Sequence, residues 1–266
     1  MITMEPATST PGPEPVRTSH GVNVAWLTLG SLAAIAGLLF ATVQAVGIIA
    51  HEERTEVVTV SDPAVSVLDV ASQAGRIEVI GADVTTVRIT ARISDGLTDT
   101  RFGHAVLGDR LQVRVRCTAV IAGPWCRADL RIVVPRGLEV TLRSTDDLVT
   151  VRGLTGRVDA ESGDGTVDAE GLSGPIRLHA DNGAVRASRL RSDSVQADSS
   201  NGSVHLEFER PPRSAIATSD NGSVEVALPR GAQGYDVDIS SDNGSTDNLV
   251  RTDSTSERRI VASSNN

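Results

Sequence analysis

From residue 144 onward glycines fall nine residues apart, at Gly156, Gly165, Gly174 and Gly183. Each opens a short alternating run: GRVDA, GTVDA, GPIRL and GAVRA, with Asp147 taking the same place in DLVTV. After Gly183 the spacing loosens through DSVQA, GSVHL and GSVEV. A second register runs through turns at STDD (144), SGDG (162), ADNG (180), SSNG (199) and SDNG (219 and 241), and SSNN closes the sequence. A unit this short cannot bury its own apolar face, so it must stack on copies of itself. The spacing predicts an all-β fold: a β-solenoid, parallel β-helix-like, of about 18 residues per coil with two strands and two turns each. An up-and-down antiparallel sandwich is the alternative.

Several residues acquire roles from that pattern. Gly156, Gly165, Gly174 and Gly183 are expected at corners, together with Asn182, Asn201, Asn221 and Asn243, because Gly and Asn-Gly supply positive φ there. Val and Ala at the second and fourth positions after each Gly point inward, and the residue between them points out. That places Asp159 over Arg177 and Asp168 over Arg186 as cross-coil ion pairs on the outside. A Val/Ala interior is narrow, which agrees with an aromatic content of only 2%. Upstream, period-two runs such as Val87, Ile89, Ala91, Ile93 and Leu111, Val113, Val115, Cys117 read as strands. Residues 94–109, SDGLTDTRFGHAVLGD, read as a polar loop.

Residues 21–50 hold no charged side chain, and about 20 apolar residues suffice to span a bilayer as a helix. They are expected to form one transmembrane helix. A secretory h-region is only about 7–15 residues long, so a cleaved signal fits less well. Residues 1–20, rich in Pro, Ser and Thr, are expected as a disordered cytoplasmic tail. Residues 51–56 are expected as a short linker and 57–266 as the β-strand-repeat domain. Arg17 and Arg54 balance each other, so the positive-inside rule does not orient the segment. The cysteines do. Cys117 and Cys126 end and begin alternating strands, and an eight-residue connection makes a hairpin with both thiols facing one side at its tip. A disulfide there implies an oxidising, extracytoplasmic compartment; two buried free thiols are the alternative.

A net charge of −9 with every basic residue an Arg argues against nucleic acid as a partner. Asp146, Asp164, Asp181, Asp220 and Asp242 recur near one corner, but GTVDAEGLS lacks the calcium-binding nonapeptide, and an Asn/Asp ladder explains the column. No metal and no cofactor are expected. Catalysis has no G-x-S-x-G elbow, H-E-x-x-H or phosphate loop behind it. His20, His51, His104, His179 and His205 read as solvated side chains. A β-helix carbohydrate-active enzyme would need carboxylates on one solenoid face; Asp159 and Asp168 are the candidates, among Arg neighbours and without aromatic sugar platforms.

The early SQAGRIEVIGAD strands, the Pro-Gly step in VVPRGLEV and the recurring S-x-N-G-S-V strands resemble the bacterial "putative adhesin" family of β-strand-repeat domains, over about residues 57–266. That resemblance implies a membrane-anchored or exported domain and transfers no catalytic residue. The expected function is a single-pass bacterial cell-membrane protein whose extracytoplasmic domain serves adhesion or envelope contact. Its partners would be membrane lipid, through the anchor, and an envelope protein or polymer. An envelope-stress sensor or scaffold acting on other membrane proteins is the second reading.

Overall fold

The computed structural model describes residues 29, 30, 33–35, 37, 38, 52–95, 99–118, 126–231 and 233–265. Met1–Ile49 and Ala50–Asn266 form separate compact units. In the first, the described residues are helical positions between Leu29 and Leu38. Among the described residues no helix is long and apolar enough to cross a membrane. Most of the expected 21–50 span, and all of the expected 1–20 tail, lie outside the described residues.

Among the described residues the second unit is all-β, with nineteen strands in two mixed sheets. Its first part contains β1 (Glu52–Val60), β2 (Val67–Ser72), β3 (Ile77–Ala82), β4 (Val87–Asp95), β5 (Asp99–Leu107), β6 (Arg110–Thr118) and β7 (Arg127–Pro135). Then follow β8 (Glu139–Ser144), β9 (Val149–Arg152), β10 (Val158–Ser162), β11 (Val167–Glu170), β12 (Ile176–Ala180) and β13 (Val185–Leu190). The last are β14 (Ser194–Ser199), β15 (Val204–Phe208), β16 (Ser214–Ser219), β17 (Val224–Ala227), β18 (Asp236–Ser241) and β19 (Arg259–Ser264). One sheet runs β1-β4-β7-β3-β9-β11-β13-β15-β17 and the other β18-β19-β16-β14-β12-β10-β8-β2-β6-β5.

From β8 to β17 successive strands alternate between the sheets, and β8 to β15 each pair in parallel with the strand two places on. In one sheet Val140, Val158, Ile176, Val195 and Ala215 form a column. In the other it is Val149, Val167, Val185, Val204 and Val224. All but Val224 in these two columns are buried. Parallel strands need a crossover, and here the crossover is the strand in the opposite sheet. The alternation of small and branched side chains, as in Leu142, Ala160, Leu178, Ala197 and Ala217, lets the two inner faces interdigitate. A further column at one corner, Leu154, Leu172, Leu190 and Phe208, is buried as well. Its members recur every 18 residues, Leu154 and Leu172 between strands and Leu190 and Phe208 at the ends of β13 and β15, the same period as the coil.

Three upstream expectations change. The 51–56 linker is mostly strand: Glu52–Glu56 pair antiparallel with Ala91–Asp95 as the first half of β1. Its charged EERTE sequence looks like a spacer because an edge strand is protected by charges. The 94–109 loop contains β5, antiparallel to β6 at the other edge. Residues 101 and 103–107 are exposed, so no buried face imposes the alternation that marks a strand. The Cys117–Cys126 hairpin does not form. β6 and β7 lie in different sheets, so their connection crosses from one layer to the other.

Candidate interaction surface

The corner column is built by close backbone approach. A Cβ on Gly183 would lie 2.1 Å from the Gly165 carbonyl oxygen, on Gly202 2.3 Å from that of Gly183, and on Gly222 2.3 Å from that of Gly202. Gly174 meets the Gly156 carbonyl in the same way at 2.1 Å, and Gly156 meets that of Leu138 at 2.3 Å. None of Gly156, Gly165, Gly174 or Gly183 has positive φ; that conformation is taken by Gly153, Gly171 and, in the equivalent place, Arg189 (φ 52°). The expected reason for these corner glycines is therefore corrected: they are needed for space, not for φ.

Side chains tie the same corner together. Asn182 donates to Asp164 (2.6 Å), Asn201 to Asn182 (2.8 Å) and Asn221 to Asn201 (3.0 Å). Beneath them buried or half-buried serines donate to the preceding glycine: Ser199 to the Gly183 carbonyl and Ser219 to that of Gly202, both 2.8 Å, and Ser264 to that of Gly222 at 2.6 Å. The serines were legible only as turn formers. Asn243 does not extend the ladder, because β19 rather than β18 lies beside β16, and Asn265 donates to Asp220 instead (3.1 Å). Just before β19, Arg258 donates to the Pro211 and Pro212 carbonyls at 3.2 and 2.7 Å, and the buried Tyr235 hydroxyl donates to Pro212 as well (3.2 Å). After SDNG at 241, Thr246 and Asn248 stand where the preceding repeat has Val224 and Val226, so no strand follows there. A cleft of about 980 Å³ remains beside β17, lined by Val224, Val226, Val237, Ile239, Ile260 and Ala262 among others.

Charged rungs cover the outer faces. Arg131 and Arg152 each lie 2.8 Å from Glu78, Arg152 also pairs with Glu170 at 3.1 Å, and Arg189 closes the row on Glu170. Asp168 and Arg186 are register partners and approach to 4.0 Å. Asp159 and Arg177 are register partners too, but among the described residues no ion pair joins them. Arg191 grips Glu209 through two 2.8 Å bonds, which hold the carboxyl below its usual range against slight desolvation. On the other sheet Asp69 is buried. Burial pushes its pKa up, but the Arg114 hydrogen bonds and the charges of Arg114, Arg110 and Arg143 outweigh it, so the pKa is lowered.

Cys117 and Cys126 are bonded, with Cα atoms 5.9 Å apart, and the bridge joins the end of β6 to the residue before β7. Asp159 and Asp168 lie on β10 and β11, on the outer faces of opposite sheets, so they cannot flank one bond as a glycosidase pair does. His179 contacts Asp181 (2.9 Å), and His205 contacts Glu225 (3.0 Å). His104 is exposed on β5, while His20 and His51 lie outside the described residues. Among the described residues no three His, Cys, Asp or Glu side chains form a group that could hold a metal ion.

No family model matches the chain, and no curated protein matches it. Two solved structures are similar. One is titled a "putative cell adhesion protein" from Clostridium sporogenes: 9% identical, TM-score 0.44, covering 80% of this chain and 94% of that one. The other is titled a "putative adhesin" from Bacteroides fragilis: 15% identical, TM-score 0.37, covering 80% and 96%.

Proposed function

We propose that the protein is a non-catalytic interaction module, built as a β-solenoid of about 18 residues per coil and held outside the bacterial membrane by residues 21–50. In this reading its outer faces meet an extended envelope protein or polymer in adhesion or envelope contact. The observation that supports it is the in-register stacking of β8 to β17. Outward side chains there repeat at the strand spacing of about 4.8 Å, which gives a long regular face suited to an extended partner. The inner positions are filled largely by Val, Leu and Ala, and the carboxylates and histidines weighed as catalytic point outward, Asp168 and His205 in one row with Arg186 between them and Asp159 and His179 in two other rows on the opposite sheet.

The test compares binding of the full-length protein to its own envelope fractions with turnover of a panel of glycans and esters. Binding without turnover is expected. Hydrolysis that Asp159→Ala, Asp168→Ala, His179→Ala or His205→Ala abolishes would restore the enzyme reading. Protease added to intact spheroplasts should digest the β domain; full protection would overturn the orientation.

A further inference from the structure

Charges that oppose each other across these sheets are mostly of opposite sign, as in Glu78 with Arg131, Arg92 with Asp129 and Arg143 with Glu161. On the β5–β6 pair the rule is broken: Arg101 stands directly opposite Arg116. Opposed residues share a face with Cβ atoms about 5 Å apart, where like charges repel. Both side chains are exposed, and among the described residues neither has an ion-pair partner. Folding gains nothing from this arrangement.

The surroundings extend the cationic character. Along β6 the outward residues are Arg110, Gln112, Arg114 and Arg116, so Arg114 and Arg116 are spaced by about 7 Å. Ala71 lies between Arg114 and Arg143 in register, and its methyl leaves a low floor between two guanidinium walls. The resulting depression, about 470 Å³, is bordered by Ala71, Arg114, Arg116 and Arg143, with the carboxylates Glu161 and Asp181 at its far side. Asp69 holds Arg114 at 3.0 Å, Arg110 at 3.6 Å and Arg143 at 3.9 Å, and Glu161 holds Arg143 at 3.6 Å. Two carboxylates thus orient three arginines and, among the described residues, none pairs with Arg101 or Arg116, on a chain whose net charge is −9.

We propose that this face, formed by β5, β6, β2 and β8, binds a linear polymer bearing phosphate or carboxylate oxyanions. Arg101 and Arg116 are its principal contacts, and Arg114 and Arg143 are pre-oriented walls. Guanidinium forks match both oxyanions in a bidentate manner. The depression is shallow and the cation row runs along a strand beside the sheet edge, so repeated anionic groups gain several contacts where a single small ion gains one. The proposal rests on the interaction-module reading and names the partner chemistry for it.

The experiment measures binding of the full-length protein to long-chain polyphosphate, polygalacturonate and neutral dextran at low and at physiological salt. At least one polyanion should bind and dextran should not, with affinity falling steeply as salt rises. Whichever polyanion binds identifies the oxyanion. Arg101→Gln with Arg116→Gln should weaken binding about tenfold or more, whereas Arg177→Gln with Arg186→Gln, the same change in net charge, should change it less than about twofold. The Arg101/Arg116 variant should melt no lower than the parent, because it removes a repulsion. Absence of polyanion binding, equal loss in both variants, or a lower melting temperature for the first would overturn the site. If envelope binding survives in the Arg101/Arg116 variant unchanged, the site fails and the module reading stands. If polymer binds but envelope fractions do not, the site stands and the module reading fails.

Discussion

Between β1 and β7 the chain doubles back: β1 on β4, β4 on β7 and β5 on β6 are antiparallel, and large side chains such as Ile77, Ile89, Ile93 and Ile132 fill the interior. Between β8 and β17 every pairing is parallel, and much of the interior is Ala and Val. The first region holds together by apolar volume and a disulfide between its layers. The second has an interior richer in Ala and Val and repeats close backbone approach from coil to coil, with glycines beneath carbonyls at Gly156, Gly165, Gly174, Gly183, Gly202 and Gly222 and a side-chain ladder at the corner, whereas the first has such approaches singly, at Gly75 and Gly81. The same two sheets therefore tolerate different injuries in their two halves.

Gly183→Val should produce the largest effect. Its first added atom would meet the Gly165 carbonyl at 2.1 Å, and backbone cannot step aside as a side chain can, so a loss of about 3 kcal/mol or more is expected. Gly103→Ala, in the first region, faces nothing within 4 Å and should cost under about 1 kcal/mol. Denaturant titration of both variants checks the contrast. Next, removing the bridge with Cys117→Ser and Cys126→Ser should cost about 2.5 kcal/mol by loop entropy. Hydrogen exchange should rise around β5 to β7 and not at β10 to β16; equal acceleration in both would erase the distinction.

The division also explains what the sequence could tell. The columns through Val158 and Val167 were legible because each residue faces one buried layer and the next copy repeats it. Gly183 was legible as a corner but not as a space requirement, since nothing in one strand reveals the carbonyl of its neighbour. β5 was illegible because an exposed edge such as Arg101–Leu107 has no buried face to impose period two. The partner of Cys126 was foreseen, but not that it lies in the opposite sheet: alternation marks a strand and does not say which layer receives it. The order of β18 and β19 was hidden because Val237, Ile239 and Ile260, Ala262 offer similar patterns, and no alternation says which of the two lies beside β16.

Smaller effects sharpen the same comparison. Asp69→Asn should cost about 1–3 kcal/mol at neutral pH, since it removes the negative charge that Arg114, Arg110 and Arg143 face and one of the two oxygens that accept from Arg114. Asp69 is depressed in the folded state, so its contribution is complete above the unfolded value near 3.9 and is lost as pH falls through the folded value. Parent and variant melting curves should therefore converge only in acid, below the unfolded value, once the folded carboxyl is protonated as well. A gap that persists there would mean the loss is one of packing. Smallest is Arg189→Gly. It relieves the positive φ at a cost in chain entropy and one exposed ion pair, so a gain of no more than about 1 kcal/mol is expected.

Native-state hydrogen exchange across β8 to β17 tests the central claim most directly, because a stack of nearest-neighbour repeats opens from its ends. Amides of β15 to β17, beside the open cleft, should exchange first, protection should rise strand by strand toward β10, and Gly183→Val should split the gradient at that corner. A single uniform protection from β8 to β17, unchanged in shape by Gly183→Val, would contradict the account.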